Sequence, residues 1–530
     1  MKKRIFSFLL VLVFVLSMSG ISAFAYDYYL DFGDVDVVAE NHYGMDFQVV
    51  HIGDYSVPDF DPTITQWDPN TPTNNDIDVD VYDGATAKLT IKNIYYESTT
   101  GGTFFDINGE EGDSVVLTVE GYNYVGSYDE GDEGSEEDDA IIEVEDENLT
   151  IKGNGILYIE GDTNGAKIGS DGGSYDEYYY EYVSGTEFSG KIHITDNVAI
   201  YTSDDGSGDG AAIGSGQYAD FTGTVIIDGN ANVTAMSNDR GAGIGAGEGS
   251  EAYDYDEDDY VDTGDFRGTV VIGGNAMVWA EGDDDSAGIG SGQDGSFSGG
   301  KIIIKDNAMV WAEGSNEGPA IGAADDTYMD GDIIIKDNAV VFVDRGSDCD
   351  TDIGAEGEWE NYGSILILGN ASIISVNNDS ETGDLLNNLV IGGEEYYDDV
   401  EVIIGENVKL NGLSSAQVLA GLDLGTVDIN SDYKEFINGS NEDLPAYLIA
   451  YGEDGGLIPY TLAMDGDTVT ITVDLDYAEL QGNKQAFDIL LNCGFETLRI
   501  VTNSGEIEFD MNEFEDWYID NLLFIEVRFA

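Results

Sequence analysis

Between residues 149 and 374, large aliphatic side chains recur at every second position in short bursts, and each burst is closed by a polar corner. Ile192/Ile194, Val225/Ile227, Val270/Ile272, Ile302/Ile304, Ile333/Ile335 and Ile365/Ile367 are such pairs. Period-two alternation is the pattern of a strand buried on one face. An asparagine stands three residues after each pair. With Asn154 the series is Asn154, Asn197, Asn230, Asn275, Asn307, Asn338 and Asn370, spaced 43, 33, 45, 32, 31 and 32 residues. The residue before each is Gly or Asp. These residues tolerate left-handed backbone, so a fixed corner is predicted there. An Ile-Gly pair follows the first six asparagines after 14 to 16 residues, at Ile168, Ile213, Ile244, Ile289, Ile321 and Ile353. Small residues on both sides of a buried Ile suit a third, tight corner.

A repeat of about 32 residues cannot bury its own apolar face, whereas stacked repeats bury a continuous core. The predicted fold is mainly β, a parallel β-helix with like residues stacked about 4.8 Å apart. Asparagines at one corner would then form a hydrogen-bonded ladder. A propeller is the alternative, but its blades usually need about 40 residues and four strands. The two long intervals carry insertions, residues 174–188 and 250–266, that mix acids with tyrosines. Both fall at the same phase and so belong on one edge. "AKLTIKNIYYES" and "SVVLTVEGYNYVGS" read as degenerate early coils. The predicted organisation is a signal peptide over 1–25 and an acidic lead-in or cap over 26–79. The repeat domain follows over 80–411, then a linker over 412–444 and a small α+β domain over 445–530.

The parity that buries the aliphatics also selects what points outward. Counting from each asparagine, positions +1, +3 and +5 face the core, and +2 and +4 face away. Position +4 reads Tyr158, Tyr201, Thr234, Trp279, Trp311, Phe342, Ile374, and position +2 includes Met277 and Met309. An outward apolar and aromatic strip on so polar a chain marks a binding or packing surface. Two readings stand side by side. Tyr201, Trp279, Trp311, Phe342, Met277 and Met309 are a ligand platform on which sugar rings stack, with Glu281, Glu313 and Asp344 binding hydroxyls. Otherwise the strip is covered by the C-terminal domain, a capping segment or a second copy.

Charge narrows the partners. The chain has 107 Asp and Glu against 19 Lys and Arg, a net charge of −88. It becomes three units more negative if Lys2, Lys3 and Arg4 leave with a signal peptide, whose apolar run Ile5–Leu16 and Ala23-Phe24-Ala25 end fit secretion. Such a charge excludes nonspecific binding to nucleic acid or anionic lipid. No later stretch is apolar for long enough to span a membrane. A secreted or cell-surface protein is expected, attached noncovalently or through a partner. Cys349 and Cys493 offer neither metal spacing nor a disulfide framework. With three histidines, His42, His51 and His193, no nucleophile–base constellation is legible, and acid pairs are too common to mark a glycosidase. The densest acidic run, 253–260, makes Asp254, Asp256, Asp258 and Asp259 candidate Ca2+ ligands. It lacks the spacing of a known calcium loop, and a solvated charge run is the plainer reading.

The stretches "LTIKGNGILYIEGDTNGAKIGSDGG", "GAAIGSG", "GAGIGAG" and "SAGIGSG" resemble a family of secreted Gram-positive surface proteins with GAGIG-type corners. These are described as carbohydrate-binding-domain or adhesin-like. The resemblance covers roughly residues 80 to 410. It implies a right-handed parallel β-helix and a polysaccharide or cell-wall glycan as ligand, with no catalytic residues. The acidity and the Tyr-Asp insertions depart from that family. The alternatives kept are a structural envelope or matrix protein that assembles with itself or another surface protein through the strip, with calcium, and a polysaccharide lyase or hydrolase.

Overall fold

The computed structural model describes residues 27–528, apart from single residues and short stretches, the longest being 129–137, 377–387, 419–426, 438–447, 452–459 and 484–496. The expected signal peptide lies outside the described residues. The chain is mainly β, and three long sheets, almost entirely parallel, of 13, 11 and 14 strands carry the repeat region. From Thr86–Lys92 onward each coil as far as Asn430 gives one strand to each sheet, as in a three-faced parallel β-solenoid. In one coil these are Lys301–Ile304 on the first sheet, Met309–Glu313 on the second and Ile321–Ala323 on the third.

Register is set by the inward column. On the first sheet Ile192, Val225, Val270, Ile302, Ile333, Ile365 and Val402 are successive partners. All are fully buried. A one-residue slip in any coil would turn its isoleucines to water, at roughly 1.5–3 kcal/mol for each side chain. A second inward column was not legible in the sequence. Phe188, Phe221, Phe266 and Phe297 are fully buried, with neighbouring centroids 5.2, 5.0 and 4.7 Å apart, the first two pairs stacked and the last edge-on at 78°.

The predicted asparagine ladder runs unbroken from Asn197 to Asn370. Each Nδ2 donates to the Oδ1 one coil earlier, at 3.0, 3.1, 3.2, 3.1 and 3.0 Å. The residue before each has φ between 59° and 68° (Asp196, Gly229, Gly274, Asp306, Asp337, Gly369), as the sequence required. The corner at Asn154 differs, with Gly153 at φ 118°. An interior member loses two amide bonds when removed. Asn307→Ala is therefore expected to cost about 1–2 kcal/mol, read as a lower urea midpoint at unchanged m-value. An unchanged midpoint would mean that solvent replaces the ladder without loss.

The Ile-Gly positions are more than corners. They are two- and three-residue strands of the third sheet, with Ile168, Ile213, Ile244, Ile289, Ile321, Ile353 and Ile391 in register. Their glycines have φ from 127° to 150°, and a Cβ on Gly169, Gly214, Gly245, Gly290, Gly322 or Gly354 would overlap the glycine carbonyl of the next coil. Only glycine lets the backbones stack this closely.

The solenoid is longer than 80–411. Asp27–Tyr29 and Thr63–Thr65 are the first two rungs of the first sheet, and Val35–Asn41 and Ile77–Tyr82 lie on the third. The lead-in of 26–79 is thus solenoid too, recognisable by alternation but lacking both anchors. Its antiparallel strands Asp46–Ile52 and Tyr55–Pro58 finish the third sheet's edge. Part of the linker expected over 412–444 also joins the sheets, through Val427–Asn430 and Tyr433–Ile437. Beyond it, described residues form a three-stranded and a four-stranded sheet. The stretch "KQAFDILLNCGF" of the expected α+β domain lies outside the described residues.

The two Tyr-Asp insertions fold as hairpins, Ser174–Asp176 with Glu181–Val183 and Ser250–Asp254 with Asp259–Thr263. They join into one four-stranded sheet through Val183 and Tyr253. Equal phase in the repeat is what brings them to one edge.

Candidate functional site

The second sheet carries the outward strip. In the strand after Asn307, Ala308, Val310 and Ala312 are fully buried, which leaves Met309, Trp311 and Glu313 on the outer side. Successive coils bring like positions into register. Tyr95, Tyr124, Tyr158, Tyr201, Thr234, Trp279, Trp311, Phe342 and Ile374 form one column. Tyr95 and Tyr124 extend the strip two coils beyond the sequence reading. Their coils lack the asparagine from which +4 was counted, although the alternation in "NIYYES" and "GYNYVGS" pointed to them.

The rings contact along the axis. Tyr124 and Tyr158 stack with centroids 5.7 Å apart and planes 10° apart, and Trp311 and Phe342 at 5.5 Å and 22°. Trp279 and Trp311 are tilted at 5.7 Å and 32°. Such pairs contribute about 0.5–1.5 kcal/mol beyond burial, so the column also stiffens the sheet. Trp279 is 41% exposed, and Met277 and Met309 beside it are 51% and 48% exposed. Tyr201 and Phe342 are half-buried, and Asn232 Nδ2 donates to the Tyr201 hydroxyl at 2.9 Å.

An acidic column flanks the rings. Glu281, Glu313 and Asp344 are in register on the outer side of the same strands. Burial first, then Asp344, raises the Glu313 carboxyl above its usual value, against the pull of the Trp311 indole N–H. That N–H is buried and meets no acceptor in hydrogen-bonding geometry, so the pull is that of a nearby dipole rather than of a regular bond. Methionines on one side and carboxylates on the other make the strip amphipathic across its width.

Of the candidate calcium ligands, Asp254 and Asp259 face each other across the second hairpin, and Asp256 and Asp258 lie outside the described residues. The described carboxylates that do converge are Glu143, Glu145 and Asp171, with oxygens all within 4.8 Å of one another. Burial first, then Asp171, pushes Glu143 up to about 9. Asp171 is pushed up to about 6, again chiefly by burial.

The histidines sit apart from the strip's aromatic column. His193 contacts Asp228 at 3.1 Å on the first sheet, and His42 contacts Glu40 at 2.7 Å. His51 Nδ1 lies 2.8 Å from Ser56 Oγ on the N-terminal hairpin, with Asp36 on the next strand. Ser56 is exposed there, and the cavities described below are lined by other residues.

Concavity appears at the strip's N-terminal end. A cavity of about 580 Å³ is lined by Tyr95, Tyr122, Tyr124, Asn93, Asn70 and Pro69. Another of about 400 Å³ is lined by Tyr29, Trp67, Gln66, Asp27, Lys92 and Asn93. Sequence reading missed this corner because its residues come from coils without the repeat anchors. Compared with family models, with curated proteins and with solved structures, the chain has no match in any of the three.

Proposed function

We propose that this protein is a secreted, cell-surface β-solenoid that binds polysaccharide without turning it over, through the outward column of its second sheet. The observation that carries the reading is the in-register run Trp279, Trp311, Phe342, flanked by exposed methionines on one side and carboxylates on the other. Exposed aromatic patches of this kind mark recognition surfaces. Ring faces and methionines meet the C–H faces of sugars, and acids beside them accept hydroxyl donors. The charge of −88 disfavours a polyanionic glycan and favours a neutral one. We take the coil as right-handed, the hand that parallel crossover connections almost always adopt.

The test is depletion onto insoluble neutral glycans, with and without calcium. Trp279→Ala/Trp311→Ala is expected to bind at least about tenfold more weakly than wild type, a loss of roughly 1.4 kcal/mol, while melting as a folded protein. Equal binding by the folded variant would overturn the reading. Calcium-dependent self-association abolished by the same variant would replace it with an assembly role, and release of reducing or unsaturated ends would replace it with an enzyme.

A further inference from the structure

We infer that the N-terminal corner of the solenoid is a second, separate ligand site, a cleft that takes the end of a neutral oligosaccharide. It rests on the preceding reading only for the class of ligand, since its residues and geometry are its own.

The cleft exists because the second sheet starts two coils later than the other two. The two coils that begin with Asp27–Tyr29 and Thr63–Thr65 contribute to the first sheet and, through Val35–Asn41 and Ile77–Tyr82, to the third, whereas Tyr95–Ser98 is the edge strand of the second. Where a strand would have continued that sheet, residues 66–73 pass as a loop that pairs with the edge at Thr73, whose N–H donates to the Tyr95 carbonyl and whose carbonyl accepts from the Glu97 N–H, both at 2.9 Å. The Gln66 side chain supplies the ladder bonds on the other side of Tyr95. Its Oε1 accepts from the Tyr95 N–H at 2.6 Å, and its Nε2 donates to the carbonyls of Tyr95 and Thr71 at 3.1 and 2.9 Å. A primary amide has the donor and acceptor of a peptide group, so Gln66 and the Thr73 backbone together satisfy this part of the edge without a full strand. Between these contacts Pro69 and Asn70 of the loop bound the 580 Å³ cavity against Tyr95, Tyr122 and Tyr124. Asn93 lines this cavity and the 400 Å³ one, which joins them at the corner where the chain turns with Asn93 at φ 53°.

The walls suit a sugar. Tyr122 is 54% exposed and Trp67 is 68% exposed. Trp67 is fixed by Asp31, which accepts its backbone N–H at 3.0 Å, and by the edge-on ring of Tyr29 at 5.4 Å. Tyr95 and Tyr124 meet at 81° here, unlike the stacked pairs further along, and Tyr95 is the column's first rung, so no ring covers its outer side. Amides of Asn70 and Asn93 and the carboxylate of Asp27 supply donors and acceptors between these rings. The cation lining the smaller cavity, Lys92, is held by Glu120 at 3.0 Å. With that cation paired and Asp27 beside it, the cleft repels phosphate and uronate and fits an uncharged ligand. Both volumes lie within the range of about 300–1,000 Å³ usual for small-molecule sites. The open strip can follow a chain along its length, whereas this corner lies where the aromatic column stops, so a chain bound there meets it by its end.

The experiment uses the mature chain and soluble neutral tri- to hexasaccharides of glucose, mannose and xylose, titrated by calorimetry, beside depletion onto insoluble glycan. In Trp67→Ala/Tyr122→Ala, oligosaccharide affinity is expected to fall at least tenfold while depletion is retained. Trp279→Ala/Trp311→Ala is expected to do the reverse. Both side chains at the corner are exposed, and Tyr122→Trp, which keeps the aromatic wall, is expected to retain affinity. Unchanged titration by the folded corner variant, or an equal loss in the strip variant, overturns the inference. So does the failure of every oligosaccharide to bind wild type, even where depletion shows the strip reading to stand. A concentration-dependent dimer that the corner variant abolishes would also overturn it, because a second copy would then be what the aromatics meet.

Discussion

Thermal stability is expected to be higher near pH 5 than at pH 8, by roughly 5 °C, and to fall further towards pH 9. The cause is a set of carboxyls that folding forces together. Asp36, Asp78 and Asp106 are direct partners on the third sheet, and Glu143 follows on the next strand. Like charges opposite one another destabilise a sheet. Burial is the largest influence on each group, with neighbouring acids adding to it. Glu143 is pushed up to about 9, Asp209 to about 7, and Asp78, Asp171 and Asp220 to about 6.

A carboxyl raised in the folded state holds a proton that the unfolded chain has already released. Its stabilisation is fully present below the unfolded value near 4 and is lost as pH rises through the folded value. For these five groups that window runs from about pH 4 to 9. Asp228 and Asp332 act oppositely. Burial opposes their charge, but Thr195 and His193 hold Asp228 low, and Ser364 and Lys301 hold Asp332 low. Their contribution is lost below the usual carboxylate range, which places the optimum between about pH 4 and 5. Melting temperature measured across pH 4–9 at constant ionic strength checks the sign. A maximum at or above neutral pH would show that these carboxyls are charged in the folded protein. Added salt at pH 8 should recover part of the loss by screening.

The second large effect concerns the glycine spine. Gly290→Ala is expected to destabilise by about 4 kcal/mol or more, among the largest values single substitutions give. The residue has φ 146°, and a methyl group there would overlap the carbonyl of Gly322. Either the adjacent coils separate and lose their hydrogen bonds, or the strand of Ile289 shifts out of the core. Gly299→Ala is the control. It also has positive φ, 75°, but nothing lies within reach of a Cβ. It should cost only about 1–2 kcal/mol, the penalty for left-handed backbone. Denaturant midpoints of the two variants separate the effects, and equal losses would mean that conformational preference alone accounts for the glycine.

The repeat core was legible in the sequence because each of its features is local and recurs. Period-two isoleucines specify strands, Asp or Gly before Asn specifies a left-handed corner, and a constant offset to Ile-Gly specifies coil length. Parity carried the outward assignment of Trp279, Trp311 and Phe342 with it, since neighbours on a strand must point to opposite sides. The rest depended on which coils lie beside which. The first coils and residues 427–437 bear no anchor, and only pairing with their neighbours shows them to be part of the solenoid. Phe188, Phe221, Phe266 and Phe297 are far apart in sequence and become a column only when stacked. The Tyr95 corner arises where one sheet begins two coils late, a property of no single segment. Local backbone and side-chain preferences thus determined the coil, whereas contacts between coils decided the ends, the acidic column and the cleft, because those energies exist only once distant strands are about 4.8 Å apart.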